Sequence, residues 1–152
     1  MDYSETDIRF MKEALALARE AAEADEVPVG ALIVYEGRVI AAARNRREGD
    51  RMATHHAEVL AIEEACRVRG GWRLPDCTLY VTLEPCPMCG GAIVNARIPR
   101  VVFAAHDPRA GVFGSAIDFN SLPFNHHPEI IGGVLGEEAA AIMRDYFRKK
   151  RS

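Results

Sequence analysis

The sequence predicts an α/β protein: a three-layer α/β/α sandwich around a central mixed five-stranded sheet. Three observations carry that prediction. Segments rich in β-branched and aromatic residues alternate with helical ones, the order produced when helices cover the faces of a sheet. The first two strands flank Glu36-Gly37 closely enough to form a hairpin, whereas later strands are separated by helices and so pair mostly in parallel. The chain has 152 residues, 49% hydrophobic and 27% charged. That suits one domain over residues 1–152, large enough to bury about 70% of its unfolded surface.

The elements follow in order. Ser4 with Asp7 forms a capping box, and Ile8, Met11, Leu15, Ala18 and Ala22 then recur at helical spacing as far as about Ala24. Val27-Pro28-Val29-Gly30 ends that helix. Ala31–Tyr35 and Arg38–Ala42 are the hairpin strands, with Gly37 in the turn. Arg44–Thr54 is polar and aperiodic, hence a loop. A second helix runs from about His56 to Arg69, with Val59, Ile62 and Cys66 inward and Glu63, Glu64 and Arg67 outward. Cys77–Leu83 is a strand, followed by a helix opening at Pro85 and ending near Ala96. Val101–Ala105 is a short strand. Residues 106–128 form a long loop, and such loops in compact domains are usually functional. Glu129–Val134 is the last strand. Gly136–Lys150 is the last helix, carrying Ala139, Ile142, Met143, Tyr146 and Phe147 along one side.

Net charge is −3, so the chain as a whole is not a polycation. Its bases gather locally, at Arg44–Arg51, at Arg67–Arg73 and at Arg148–Arg151, a distribution compatible with a phosphate-bearing ligand or simply with solvated helix ends. No apolar run reaches the roughly 20 residues of a membrane span. The acidic opening with Asp2, Glu5 and Asp7 is unlike a signal peptide, which places the protein in the cytoplasm. In that compartment four cysteines suggest metal-binding or catalytic roles before disulfides.

Glu84-Pro85-Cys86-Pro87-Met88-Cys89 brings two cysteines three apart into a helix start. There both sulfurs face nearly the same way and the helix N-terminus favours thiolate. Two sulfurs do not complete a site. The further candidates are His55, His56, His106, His126, His127, Cys66 and Cys77, and His56-Ala57-Glu58 at another helix start stands out. A His–Cys–Cys set leaves tetrahedral Zn²⁺ one open position, the mark of a catalytic centre, and the water there can reach a pKa of about 7. A carboxylate beside the metal then serves as a proton shuttle, and Glu58 is the candidate. Each motif alone is weak: CxxC also occurs as a redox pair or half a zinc ribbon, and Cys66 and Cys77 read as core residues.

The two motifs together resemble the zinc-dependent cytidine/deoxycytidylate deaminase superfamily. Glu26–Ala31, Asn45-Arg46, Leu79–Cys86, Arg97-Ile98, Val101–Phe103, Gly114-Ser115, Asn125-His126 and Asp145–Arg148 are similar to the bacterial tRNA-specific adenosine deaminases within it. The resemblance covers nearly the whole chain. It implies the cytidine-deaminase-like sandwich, one zinc per subunit on His56, Cys86 and Cys89, and hydrolysis of adenosine to inosine at the wobble position of a tRNA anticodon, chiefly tRNA-Arg ACG. Zinc-bound hydroxide would attack adenine C6, with Glu58 carrying protons. Val29, Asn45 and His56 would hold the base and ribose. Asp107, Asn125 and His126, with Phe147 and Arg148, would meet the rest of the anticodon stem-loop. A homodimer is implied. Three features depart from the family pattern: His55, Arg47 and the segment from Phe113 to Phe124. A deaminase of free guanine or cytosine is the rival within the class, and a non-catalytic zinc-containing RNA-binding subunit the rival outside it. The presence of Glu58 argues against the latter.

Overall fold

A computed structural model describes residues 3–151; Asp2, and the two ends of the predicted domain, lie outside the described residues. Helix α1 (Glu5–Glu23) is capped by Ser4, whose hydroxyl accepts from the Asp7 N–H while the Asp7 carboxylate accepts from the Ser4 N–H. Its buried stripe is Phe10, Met11, Ala14, Leu15, Ala18 and Ala21. Ile8 and Ala22 therefore flank that face rather than centre it.

Strands β1 (Gly30–Tyr35) and β2 (Arg38–Arg44) form the hairpin; β3 (Cys77–Leu83), β4 (Arg100–Ala105) and β5 (Glu129–Ile131) follow. Their spatial order is β2-β1-β3-β4-β5, with β1 antiparallel to both neighbours and β3, β4 and β5 parallel. This is the mixed five-stranded sheet of the prediction. Period-2 alternation splits its side chains between two cores. Ala31, Ile33, Leu79, Val81, Val101 and Phe103 pack under helices α3 (Ala57–Arg69) and α4 (Pro87–Ala96). Leu32, Val34, Tyr80, Val102 and Ala104 pack under α1 and α5 (Gly136–Arg151). Three layers result.

Several boundaries move. Residues Arg47–Asp50, within the expected loop, form a short helix α2. The CxxC helix opens one proline later than expected: Pro87 stands at its first position and Cys86 is the N-cap. Both prolines suit a helix start, and the extended φ/ψ of Cys86 decides between them. On α3 the buried face is Ala57, Ala61, Ile62 and Ala65, while Val59 and Cys66 are only half-buried. Small residues let that helix sit close to the sheet. Strand β5 stops at Ile131, before Gly132-Gly133. In α5 only Ala139 is buried; Ala140 and Ile142 pack on the α1 side, and Tyr146 and Phe147 leave the core altogether.

The topology delivers one end of the sheet to a site. Asn45 follows β2, Glu84 and Cys86 follow β3, and Asp107 follows β4, all beyond the carboxyl ends of their strands. Val29 joins them because β1 runs the other way and begins at that edge, Gly30 pairing with Arg44. Gly30 itself is required there: a Cβ would stand 2.2 Å from the Ala14 carbonyl oxygen of α1.

Candidate active site

His56 is the N-cap of α3 and Cys86 the N-cap of α4, both with extended backbone. Being off the regular helix frees the His56 ring from the 200° separation that an ideal helix would impose between it and Glu58. Nδ1 of His56 lies 3.6 Å from Sγ of Cys86 and 3.5 Å from Sγ of Cys89. The three donor atoms all fall within 4.8 Å of one another. Tetrahedral zinc with bonds of about 2.1 Å to nitrogen and 2.3 Å to sulfur requires an N···S edge of about 3.6 Å. The donor set fits a metal by type and by spacing.

The two sulfurs share one proton unequally. The Cys86 thiol is pulled down to about 4, first by the hydrogen bond from the Cys89 thiol and then by His56, against the cost of burial. Cys89 moves far up because it keeps the shared proton and is buried. The His56 imidazole is raised, chiefly by its hydrogen bond to Cys86. Glu58, 4% exposed, is pushed up to about 7 by burial, with the neighbouring Cys86 charge adding to it. A carboxyl poised near neutrality can both take and return a proton.

The cluster opens on a cavity of about 570 Å³. Val29, Asn45, His56, Glu58, Cys86, Asp107 and Phe147 line it. Cys89 is fully buried behind Cys86. Asn125, His126 and Arg148 stand outside the lining: Asn125 and Arg148 are exposed, and His126 Nε2 contacts the Ile98 carbonyl. Asn45 has a framing role that its motif did not disclose. Its Nδ2 donates to the Val27 carbonyl at 3.0 Å and its Oδ1 accepts from the Ala57 N–H at 2.8 Å, tying the Val27–Val29 wall to the start of α3. Sequence reasoning also passed over Glu26, Glu48, Glu84, Tyr146 and Lys150, which line the same cavity. Glu26, Glu84 and Tyr146 stood inside segments that carry the resemblance, but without a role; Glu48 and Lys150 did not. His55 turns outward, its Nδ1 2.7 Å from Asp50 Oδ2, where Arg46 also binds.

An α/β/α sandwich whose helix starts present His, Cys and Cys beside a buried glutamate defines the deaminase class, and a family model described as MafB19-like deaminase matches residues 5–151. Among curated relatives, the tRNA-specific adenosine deaminase of Bacillus subtilis is 47% identical over 95% of this chain and 91% of its own. A solved structure from work on A-to-I editing by tRNA:A34 deaminases at the wobble position of transfer RNA superposes with a TM-score of 0.86 at 47% identity, covering 88% of this chain and 98% of that one. A guanine deaminase from Bacillus subtilis superposes with a TM-score of 0.62 at 46% identity, over 64% of this chain and 63% of its own. The chain belongs to the tRNA-specific adenosine deaminase family.

Proposed function

We propose that this protein converts adenosine 34 of a tRNA anticodon, chiefly that of tRNA-Arg ACG, to inosine by hydrolysis, consuming one water and releasing one ammonia. The observation that carries the proposal is the His56–Cys86–Cys89 cluster opening beside buried Glu58 in a chain that matches adenosine deaminases of tRNA along nearly its full length.

Zinc on those three ligands would supply a water whose pKa falls to about 7. The remaining work belongs to the chain. Glu58 would accept a proton from the attacking water and pass protons to the adenine ring nitrogen and then to the departing amino group. Burial suits it to this, since it holds the carboxyl up at about 7. Val29 and the His56 ring pack against the base. Asn45 Nδ2 carries a second hydrogen that can meet the ribose or base, while its framing bonds keep Val29 and His56 in register. Asp107 and Phe147 on the cavity wall, with exposed Asn125 and Arg148 and half-buried His126, contact the flanking nucleotides of the stem-loop.

The protein works in the cytoplasm as a homodimer on this reading. No helix among the described residues is long and apolar enough to cross a membrane. A groove between α3 and α4 lined by Val59, Ile62, Cys66 and Ala92, with Trp72 57% exposed beside it, offers an apolar face for a second copy.

The test is incubation of the protein with an anticodon stem-loop bearing A34, alongside free adenosine, guanine and cytosine, scoring inosine in the RNA and ammonia elsewhere. Inosine at position 34 with little release from free bases is the expected result. Ammonia from guanine or cytosine alone would replace this reading with a free-base deaminase, the activity named for the guanine deaminase neighbour.

A further inference from the structure

Two buried carboxylates beside the cavity take no part in the mechanism above. Glu84 is 1% exposed, yet it lines the same cavity as Glu58. Its Oε1 accepts from the Asp107 N–H at 3.0 Å and from the Ser115 hydroxyl; its Oε2 accepts from the Phe113 N–H at 3.0 Å and the Ser115 N–H at 3.2 Å. Segment 107–115 is thus wrapped around one carboxylate. The wrap is tight, because a Cβ on Gly111 would stand 2.3 Å from Glu84 Cδ. Across the cavity Glu26, 3% exposed, accepts from the Glu48 N–H at 3.0 Å and the Gly49 N–H at 2.7 Å, fixing α2.

Buried carboxylates are costly unless their oxygens are filled by donors. Here the donors, all backbone N–H groups except the Ser115 hydroxyl, belong to the loops that carry Asp107 and Ala110 on one wall and Arg47 and Glu48 on the other. Those loops have little regular structure to hold them: one contains no helix or strand, and the other only four helical residues. His106 Nδ1 lies 3.8 Å from Glu84 Oε1 but is itself largely exposed, so the loop is held by the four direct donors together with the Val112 N–H, which donates to the Pro85 carbonyl at 3.0 Å, and by buried Val112 and Phe113.

We infer that Glu84 and Glu26 are positioning residues for RNA: each fixes one wall of the cavity at the spacing the flanking nucleotides require, without touching the reacting atoms. The inference rests on the functional reading above. A glutamine at 84 keeps the shape but, in either orientation, turns an NH₂ group towards at least one backbone N–H. The loop then has to move.

The experiment compares wild type with Glu84→Gln, Glu26→Gln and Gly111→Ala, the last displacing the same loop while leaving the carboxylate in place. Binding and single-turnover deamination of the A34 stem-loop are measured with bound metal and amide hydrogen exchange over 107–115 and 46–50. The expected result is a rise in the stem-loop Kd of roughly ten- to a hundredfold, with the rate at saturating RNA within about threefold of wild type and metal unchanged. Exchange should quicken in the matching loop only. Glu84→Asp should recover part of the affinity. Faster exchange of 107–115 with unchanged RNA affinity would overturn the inference, as would a loss confined to the saturated rate or accompanied by lost metal. Should Glu84→Gln fail to fold, Gly111→Ala alone decides: wild-type affinity in that variant overturns the inference for the Glu84 wall. Failure of the functional reading shows differently, as a wild-type protein that leaves A34 intact.

Discussion

Asp7 gives the sharpest test of how the scaffold is held. It sits in the first turn of α1, is 2% exposed, and spans the α1 face of the sheet. Its carboxylate takes both Nη1 and Nη2 of Arg100 on β4, at 2.9 and 2.8 Å, and the Tyr80 hydroxyl of β3 at 2.6 Å. Replacement by asparagine keeps the volume and removes the charge. Breaking one partner out of a buried ion pair costs about 3–5 kcal/mol. Arg100 is 26% exposed and can recover some hydration, so the low end, about 3 kcal/mol, applies. At about 2.1 cal/mol/K per residue, the 152-residue chain unfolds with an entropy of about 0.32 kcal/mol/K, so Tm should fall by about 9 °C. The pH dependence adds a signature. Arg100 first, then Tyr80 and the Ser4 N–H, holds the Asp7 carboxyl well below the usual carboxylate range, against the cost of burial. A group whose folded pKa is depressed stabilises above its unfolded pKa, about 3.9, and that contribution fades as pH falls towards the folded value. Thermal unfolding followed by circular dichroism from pH 7 to pH 2.5 should show a wide gap between wild type and Asp7→Asn that narrows below about pH 4. A variant melting within about 2 °C of wild type at pH 7, or a gap that widens on acidification, refutes the reasoning.

Other expectations concern the site. Glu58→Ala should retain metal by elemental analysis and lose about 10²- to 10⁴-fold in the single-turnover rate; wild-type turnover would remove its assigned role. Cys89→Ala, which takes away the fully buried member of the proposed ligand set, should purify without stoichiometric metal and without activity, and full zinc occupancy would contradict that set. Stem-loop binding should weaken with salt. With three phosphate contacts the loss is roughly 20- to 40-fold between about 50 and 200 mM, whereas a flat response would place recognition outside the basic clusters.

Much of this was legible in the sequence because the informative residues obey short-range rules. The capping box Ser4/Asp7, the hairpin around Gly37 and the alternation of strands with helices each depend on neighbours a few positions apart, and the sheet formed as expected. The metal cluster was legible for a different reason: two short motifs, His56-Ala57-Glu58 and Pro85–Cys89, each stood at a helix start and together carried the resemblance, and the donors of His56, Cys86 and Cys89 lie together. What escaped prediction depends on distant partners. Nothing around Glu84 signals that its oxygens will meet N–H groups 23 to 31 residues away. Asp7 announced itself as a cap, but not as the partner of Arg100, 93 residues on. The apolar stripe of α5 was visible as a stripe, and its division between core and cavity was not, because periodicity reports which residues share a face and not what covers it.

The most direct measurement is a zinc titration. Protein stripped of metal is returned to increasing zinc while inosine at position 34 of the anticodon stem-loop is scored at each step. Activity should be absent at the start, rise in proportion to zinc and level off at about one ion per chain, the stoichiometry of a three-ligand site with one position open. Deamination of A34 by the metal-free protein, or a protein that binds its one zinc and still leaves A34 unchanged, would contradict the account.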